Sequence, residues 1–229
     1  MSNYKALIFD LDDTLLDFTL SEENSLNKLH AAFFSEFTLS HFKKTYHEIN
    51  QNLWSLVPLQ KIAPSELKIK RFDLLLSLLK LPHSSCRVAE HYEEALGKEV
   101  FWMPDAEEAI LKFKQSHSIG IVTNGLTSVQ EAKYKASGLE NICKSFIISE
   151  KVGLSKPNKA IFDLALEELQ VKPHEALMVG DSLESDFVGA INASLDFCWI
   201  NPKKSALPSH LPQPRYEASS LKDLSNFMT

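Results

Sequence analysis

No apolar run in this sequence of 229 residues approaches the roughly 18 residues that a membrane-spanning helix needs. Cysteine is scarce: Cys86, Cys143 and Cys198 are odd in number and follow no metal-ligand spacing, which favours reduced cytosolic thiols. Basic residues are outnumbered, and the net charge of −6 argues against a nucleic-acid or anionic-membrane surface. No signal-peptide pattern precedes Tyr4. We therefore expect a cytoplasmic protein that binds neither a membrane nor a nucleic acid polymer.

What the sequence does contain is an alternation of apolar runs with helix-like periodicity. From about residue 104 onward the two alternate in the manner of parallel βαβ units. Strands are predicted near 5–10, 118–123, 145–149, 176–181 and 196–200. Asp105 and Glu108 form a predicted capping box before one helix, and a loop over 202–214 precedes a last helix at about 219–228. This pattern predicts an α/β fold.

A long helical stretch separates the first predicted strand from the second. Helices are predicted near 21–36, 39–54 and 84–98, and after an N-cap at Ser65. We therefore expect a discontinuous core of residues 1–18 and 104–229, interrupted by a helical domain of residues 19–103.

The first apolar run, residues 6–9, ends directly at Asp10, with Asp12 two residues further on. The carboxyl ends of parallel strands form the functional rim of an open α/β sheet, and residues i and i+2 of an extended chain share a face. Two carboxylates held close at such a rim repel each other, which favours a bound cation or a proton on one of them. A turn is the alternative explanation, because aspartate is common where strands end.

Later strand ends and helix starts add five more polar side chains. In chain order these are Thr123, Asn124, Lys156, Asp181 and Asp186. Each alone has an ordinary explanation as a turn, a helix cap or a solvated charge. Together with the first pair they supply carboxylates, a hydroxyl and an ammonium, which suits an anionic substrate bound through a metal ion.

In this order the motifs resemble those of the haloacid dehalogenase superfamily in its phosphatase branch, over residues 4 to about 201. Finer similarity to the bacterial pyrimidine 5′-nucleotidases is carried by residues 121–130, 152–159, 179–186 and 198–201. The family often has glycine where Asp13 stands, a departure that this branch tolerates. The resemblance implies a Rossmann-like, doubly wound parallel sheet, with residues 19–103 inserted as a helical-bundle cap.

The resemblance also implies a mechanism. Asp10 would attack phosphorus to form an aspartyl-phosphate, and Asp12 would act first as general acid and then as general base. Mg²⁺ would be held by Asp10, the main-chain carbonyl of Asp12 and Asp181. Asp186 would orient a metal-bound water or Lys156.

The resemblance further implies how the substrate is held. Its phosphoryl group would be bound by Thr123, the backbone amide of Asn124 and Lys156, and the lysine would also neutralise charge during catalysis. In the cap, the candidates for reading the rest of the substrate are Asn52, Trp54 and Arg71. An amphipathic helix surface explains each of these three equally well.

The expected activity is hydrolysis of small phosphomonoesters by a monomer or homodimer, with pyrimidine (deoxy)nucleoside monophosphates as the specific expectation. A sugar-phosphate phosphatase, including the N-acylneuraminate-9-phosphatase type, and a phosphosugar mutase share the same core motifs. A dehalogenase would need neither Asp12 nor Asp181, so their presence argues against that chemistry. A non-catalytic binding protein of the same fold is a further alternative, which the full set of catalytic groups disfavours.

Overall fold

The structure is built around a sheet of parallel strands. The computed structural model of the protein describes residues 4–57, 61–225 and 227–228. Within them the six strands are β1 (Ala6–Phe9), β2 (Ser118–Thr123), β3 (Ser145–Ile148), β4 (Ala176–Gly180), β5 (Asp196–Ile200) and β6 (Tyr216–Ala218). They are ordered β3-β2-β1-β4-β5-β6, and every neighbouring pair is parallel. The predicted α/β fold is confirmed.

Ten α-helices accompany the sheet in the described part of the chain. They are α1 (Phe18–Phe33), α2 (Leu39–Trp54), α3 (Pro64–Leu79), α4 (Ser85–Lys98), α5 (Ala106–Phe113), α6 (Thr127–Ala136), α7 (Ser149–Val152), α8 (Lys159–Leu169), α9 (Val188–Ala193) and α10 (Leu221–Leu224). Short 3₁₀ turns lie at Leu139–Asn141 and Pro173–Glu175, and a π-helical turn lies at Leu183–Phe187. Four consecutive helices, α1 to α4, follow β1 where the helix-like periodicity predicted them.

The chain divides into two compact units. The sheet unit contains all six strands. The helical unit comprises Thr19–Val100 and Gly125–Ala136, so it includes α6 although α6 follows β2 in the chain. Within the helical unit α6 packs along α4 so closely that a β-carbon placed on Gly97 would lie 2.8 Å from the β-carbon of Ala132.

Packing in the sheet unit explains why its central strands are uniformly apolar. Every residue of β1 and β4 is buried, as expected for parallel strands whose two faces are both covered. The α8–α9 pair covers one part of the sheet, and a β-carbon placed on Gly189 would lie 2.4 Å from the ring of Phe162. Phe9 of β1 stacks on Phe113 of α5 with ring centroids 6.3 Å apart. These layers fix the strand ends, from which the polar side chains emerge.

Aromatic rings form the interior of the helical unit. Phe42 stacks on Phe34 with ring centroids 4.6 Å apart, and Tyr46 lies 5.6 Å from Tyr92 and 6.0 Å from Phe72. All five residues are buried, and such pairs contribute beyond the area that they bury. In the described residues, none of the helices has the length and apolar character that a bilayer span requires.

Two details of the predicted helix starts differ from the structure, namely one N-cap residue and one capping box. Helix α3 begins at Pro64, with Ala63 as the N-cap, so Ser65 is already inside the helix. Proline suits that first position because it has no N–H to leave unpaired. Asp105 is the N-cap of α5, as predicted, but its backbone is left-handed at φ 62° and its side chain makes no capping hydrogen bond, so the predicted capping box does not form.

The carboxyl-terminal segment also differs from expectation. The last helix covers only Leu221–Leu224, shorter than the predicted span, and a strand precedes it. That strand, β6, is three residues long and pairs with β5 from Tyr216 opposite Cys198. So short a strand shows no alternation of its own, and it forms because the edge of β5 is available for pairing.

Candidate active site

Asp10 is held at the carboxyl end of β1 by the neighbouring strand. Its backbone N–H donates to the carbonyl oxygen of Val179 at 2.9 Å, which continues the pairing of β1 with β4. Only 7% of the residue is exposed. Because β1 lies between β2 and β4, the chain winds away from it in both directions, and such a switch point leaves a crevice outside the strand ends. Asp10 therefore occupies the place where α/β sheets bind ligands.

The loop after β1 folds back on itself. The backbone N–H of Leu16 donates to the carbonyl oxygen of Leu11 at 2.9 Å, and the carbonyl oxygen of Leu16 accepts from Asp13 at 2.7 Å. Asp13 has a left-handed φ of 59°, which aspartate adopts more readily than most residues. Asp12 stays partly exposed in this turn.

A buried lysine joins two of the predicted carboxylates. The Lys156 Nζ lies 2.5 Å from Oδ1 of Asp10 and 2.7 Å from Oδ1 of Asp186. The lysine side chain is 2% exposed and that of Asp186 is fully buried. Burial by itself lowers the pKa of Lys156, but Asp10 and Asp186 outweigh it and raise the pKa above the ordinary value. Lys156 is therefore an ammonium at neutral pH.

Asp10, Asp181 and Asp186 form an acidic cluster, in which one carboxylate oxygen of each lies within 4.8 Å of the others. Burial raises the pKa of Asp10 well above its usual value, and the charges of Asp186 and Asp181 add to that effect against the opposing influence of Lys156. Burial, with Asp186 and Asp13, raises the pKa of Asp181 to about 7. Three carboxylates facing one ammonium leave two negative charges uncompensated when all of them are ionised.

The residues of the acidic cluster fit a divalent cation. Carboxylate oxygens are the hard ligands that Mg²⁺ prefers, and a bound cation would compensate the charge that otherwise draws protons to Asp181. The buried hydroxyl of Thr14 donates to Oδ1 of Asp181 at 3.4 Å, which helps to orient that carboxylate. Asp10, Asp181 and Asp186 are thus the carboxylates that could hold Mg²⁺.

Asp186 is aimed into the acidic cluster by an irregular turn. The π-helical turn follows β4, and the backbone N–H of Ser182 donates to Oδ2 of Asp186 at 3.1 Å. Gly180 provides the space, because a β-carbon there would lie 2.3 Å from the same oxygen. Single π-helical turns are frequent at functional sites.

Trp199 is a site residue that the sequence did not reveal. Its indole N–H, on β5, donates to the main-chain carbonyl oxygen of Asp181 at 2.9 Å, so it braces the segment that carries a cluster carboxylate. Trp199 is buried, and a buried tryptophan N–H normally has a partner. The sequence therefore indicates that the indole N–H needs a hydrogen-bond partner, but which residue is the partner depends on the strand order.

The end of β2 adds Thr123 and Asn124 to the same rim. The pairing of β2 with β1 sets Ile121 opposite Phe9, which brings the two carboxyl ends side by side. Thr123 is buried and Asn124 is partly exposed. The side-chain amide of Asn124 bonds twice to the backbone of Lys156, at 2.9 and 3.0 Å. Of the predicted residues, Asp10, Asn124 and Asp186 therefore contact Lys156 directly.

The three cap candidates lie in the helical unit, in different surroundings. The Cζ atom of Arg71 lies 4.7 Å from the ring centre of Tyr92, and an Nη atom donates to the hydroxyl of Tyr46 at 3.4 Å. Arg71 is buried, Trp54 is partly buried and Asn52 is exposed. Arg71 is therefore enclosed in the aromatic interior of its unit, whereas the other two retain surface that a ligand could contact.

This chain is similar to several known proteins. A model of the haloacid dehalogenase-like hydrolase family matches residues 4–194. Pyrimidine 5′-nucleotidase YjjG of Escherichia coli (strain K12) is 31% identical over 223 residues, with 97% of this chain and 96% of the relative covered. A glyceraldehyde 3-phosphate phosphatase of Pyrococcus furiosus is 32% identical over 211 residues, with 90% and 84% covered. The crystal structure of the HAD-hydrolase YfnB from Bacillus subtilis, bound to magnesium, matches with a TM-score of 0.87 at 31% identity and covers 99% of each chain.

Proposed function

This chain belongs to the haloacid dehalogenase-like hydrolases, and on that premise we propose that it is a Mg²⁺-dependent phosphomonoesterase acting on pyrimidine nucleoside 5′-monophosphates. The observation that carries the proposal is the buried contact of Lys156 with Asp10 and Asp186 in the acidic cluster. These residues place a nucleophile, a positive charge and oxygen ligands for a cation together at one rim of the sheet. Similarity to a pyrimidine 5′-nucleotidase over almost the whole of both chains supports the nucleotide part.

The two carboxylates after β1 divide the chemistry between them. In the first step an oxygen of Asp10 bonds to phosphorus while the bond from phosphorus to the ester oxygen breaks. Asp12 gives its proton to that oxygen, so the nucleoside leaves as an alcohol. In the second step Asp12 takes a proton from water as the water oxygen attacks phosphorus, which frees Asp10 and inorganic phosphate. Partial exposure of Asp12 and burial of Asp10 support this assignment.

The remaining residues would position the phosphoryl group and neutralise its negative charge. Positioning and charge stabilisation supply most of the catalysis in phosphoryl transfer. Lys156, Thr123 and the backbone amide of Asn124 would bind the phosphoryl oxygens. Asp10, the main-chain carbonyl of Asp12 and Asp181 would hold Mg²⁺. When bound, the cation would supply positive charge that keeps Asp10 ionised and neutralises the phosphoryl oxygens. The contact of Asp186 with Lys156 supports a role in orienting the lysine.

The helical unit, Thr19–Val100 with Gly125–Ala136, is proposed to be the cap that was predicted over residues 19–103. A cap excludes water from the reacting group and contacts the part of the substrate remote from phosphorus. Exposed Asn52 and partly exposed Trp54 remain the candidates for direct contact. Buried Arg71 would act through α2, the helix that carries both, because its guanidinium donates to Tyr46 and Asn50 of that helix.

A substrate panel tests the proposed function. We expect Mg²⁺-dependent phosphate release from one or more of the pyrimidine nucleotides UMP, dUMP, dTMP and CMP to exceed release from AMP, GMP and several sugar phosphates. Chelation of the metal is expected to abolish release from all of them. Colorimetric phosphate detection under single-substrate conditions is the measurement.

The panel also separates the alternatives. Preference for a sugar phosphate would overturn the nucleotidase assignment while keeping the phosphatase, an outcome to which the glyceraldehyde 3-phosphate phosphatase relative gives weight. Isomer formation that needs a bisphosphate activator would identify a phosphosugar mutase. No release from any phosphomonoester would overturn the phosphatase itself.

Metal binding is expected to stabilise the fold more strongly at high pH. The pKa of Asp181 is raised from 3.8 to about 7 in the folded protein. The stability linked to that raised pKa is fully present below the ordinary carboxyl pKa and is lost as pH rises through 7. Protons no longer compete with Mg²⁺ above that range. The rise in melting temperature on adding Mg²⁺ should therefore be larger at about pH 8 than at about pH 5.

Thermal unfolding in MgCl₂ and in EDTA at both pH values measures this difference. In Asp181→Asn most of the Mg²⁺-induced rise should disappear, because the variant loses a cluster carboxylate. Asp163→Asn, on the exposed surface of α8, is the matched control and should respond to Mg²⁺ as the wild type does. Equal Mg²⁺ effects at the two pH values would contradict the prediction.

A further inference from the structure

The backbone of Lys156 is paired by a side chain instead of by a strand or a helix. Lys156 lies in the turn between α7 and α8, three residues before α8 begins. Its N–H donates to Oδ1 of Asn124 at 2.9 Å, and its carbonyl oxygen accepts from Nδ2 at 3.0 Å. The amide of Asn124 thus takes the place that an adjacent strand would occupy, so both backbone groups are satisfied.

We infer that the side chain of Asn124 is a positioning residue, which acts on the reaction through Lys156. An amide presents one donor and one acceptor in a fixed plane, which is what the N–H and carbonyl of one residue require. Aspartate at this place would keep the acceptor but lose the donor. Asn124 is also the first residue after β2, so it ties the lysine turn to the end of a strand that is paired on both sides.

The position of that turn determines where the ammonium group of Lys156 lies relative to Asp10 and Asp186. The lysine reaches Asp10 and Asp186 through a flexible stem of four carbons, and Nζ lies 2.5 and 2.7 Å from their oxygens. Displacement of a catalytic group by about 1 Å can cost about a hundredfold in rate. The catalytic consequence rests on the proposed function, whereas the positioning of Lys156 can be tested without any substrate.

Asn124→Ala is the informative change, because it removes both side-chain bonds and keeps the backbone N–H that is proposed to bind phosphate. Asn192→Ala is its matched control: Nδ2 of Asn192 donates at 2.9 Å to the carbonyl oxygen of Pro157, one residue beyond Lys156. Both changes remove an asparagine bond to the same turn, but only the first releases Lys156. Asn124→Asp serves as a second variant should the alanine variant fail to fold.

The first test is the NMR signal of the Lys156 ammonium in the substrate-free protein. Burial and two carboxylate partners should slow its proton exchange enough for an Nζ signal, which is assigned by its loss in Lys156→Arg. Asn124→Ala should shift or broaden that signal, and Asn192→Ala should leave it in place. An unchanged Lys156 signal in folded Asn124→Ala would overturn the inference.

The second test is a double-mutant cycle on phosphate release. Asn124→Ala should lower kcat by about tenfold to a hundredfold with a smaller change in KM, and Asn192→Ala should change kcat little. In a Lys156→Ala background, Asn124→Ala should cause no further loss. An equal loss in both backgrounds would overturn action through Lys156. If the wild type hydrolyses no phosphomonoester, the proposed function fails, and the NMR result still decides the positioning.

Discussion

Replacement of Asp10 by asparagine is expected to lower phosphate release by at least about a thousandfold, because an amide cannot form the aspartyl-phosphate. The fold should persist, since the change preserves shape and removes one of three negative charges from the acidic cluster. Lys156 also keeps its contact with Asp186. Single-turnover phosphate release from the preferred pyrimidine nucleotide measures the loss, and thermal unfolding verifies the fold.

Asp13→Asn is the matched control for this prediction. It makes the same chemical change three residues further on, and asparagine tolerates the left-handed backbone that Asp13 adopts. We expect its activity to stay within a few-fold of the wild type. Equal losses in the two variants would show that the loop needs aspartate for its conformation, which would contradict a nucleophile at position 10.

Lys156→Met is expected to damage both activity and stability. Without the ammonium, the buried Asp10 and Asp186 would lose the positive charge that contacts both of them, and breaking a buried ion pair in this way costs about 3–5 kcal/mol. The free energy of unfolding should fall most at about pH 8, since protons relieve the repulsion at lower pH. Urea unfolding in EDTA at two pH values measures the loss, and phosphate release should fall by about a thousandfold.

Lys159→Met provides the comparison. Lys159 lies three residues further on, and its ion pair with Asp163 is exposed on α8, where such pairs contribute little. Its unfolding free energy and activity should stay close to those of the wild type. A Lys156→Met variant that unfolds like this control at both pH values would contradict the central role of the buried lysine.

The ends of the buried strands were predictable, because a strand that is buried on both faces consists almost entirely of apolar residues. β1 and β4 are buried along their whole length, so they read as continuous apolar runs. The polar residue that interrupts such a run is then placed at the rim by the geometry of parallel strands. Asp10 and Asp181 follow from this argument, and both belong to the acidic cluster in the structure.

Contacts that depend on strand order and loop path could not be predicted in the same way. The indole of Trp199 meets the carbonyl of Asp181 only because β5 lies beside β4. The amide of Asn124 meets a residue 32 positions away, and no local pattern signals a bond of that range. The assignment of α6 to the helical unit depends likewise on its packing along α4.

The two-segment composition of the helical unit bears on how such enzymes can exchange parts during evolution. A recombination event that replaced only residues 19–100 would set a foreign α4 against the resident α6. The foreign α4 would then need glycine at position 97, because the β-carbon of any other residue there would clash with the β-carbon of Ala132. Inheritance of a well-packed helical unit would thus require two coordinated crossovers or a later compensating substitution, so Gly97 and Ala132 are expected to co-vary among relatives.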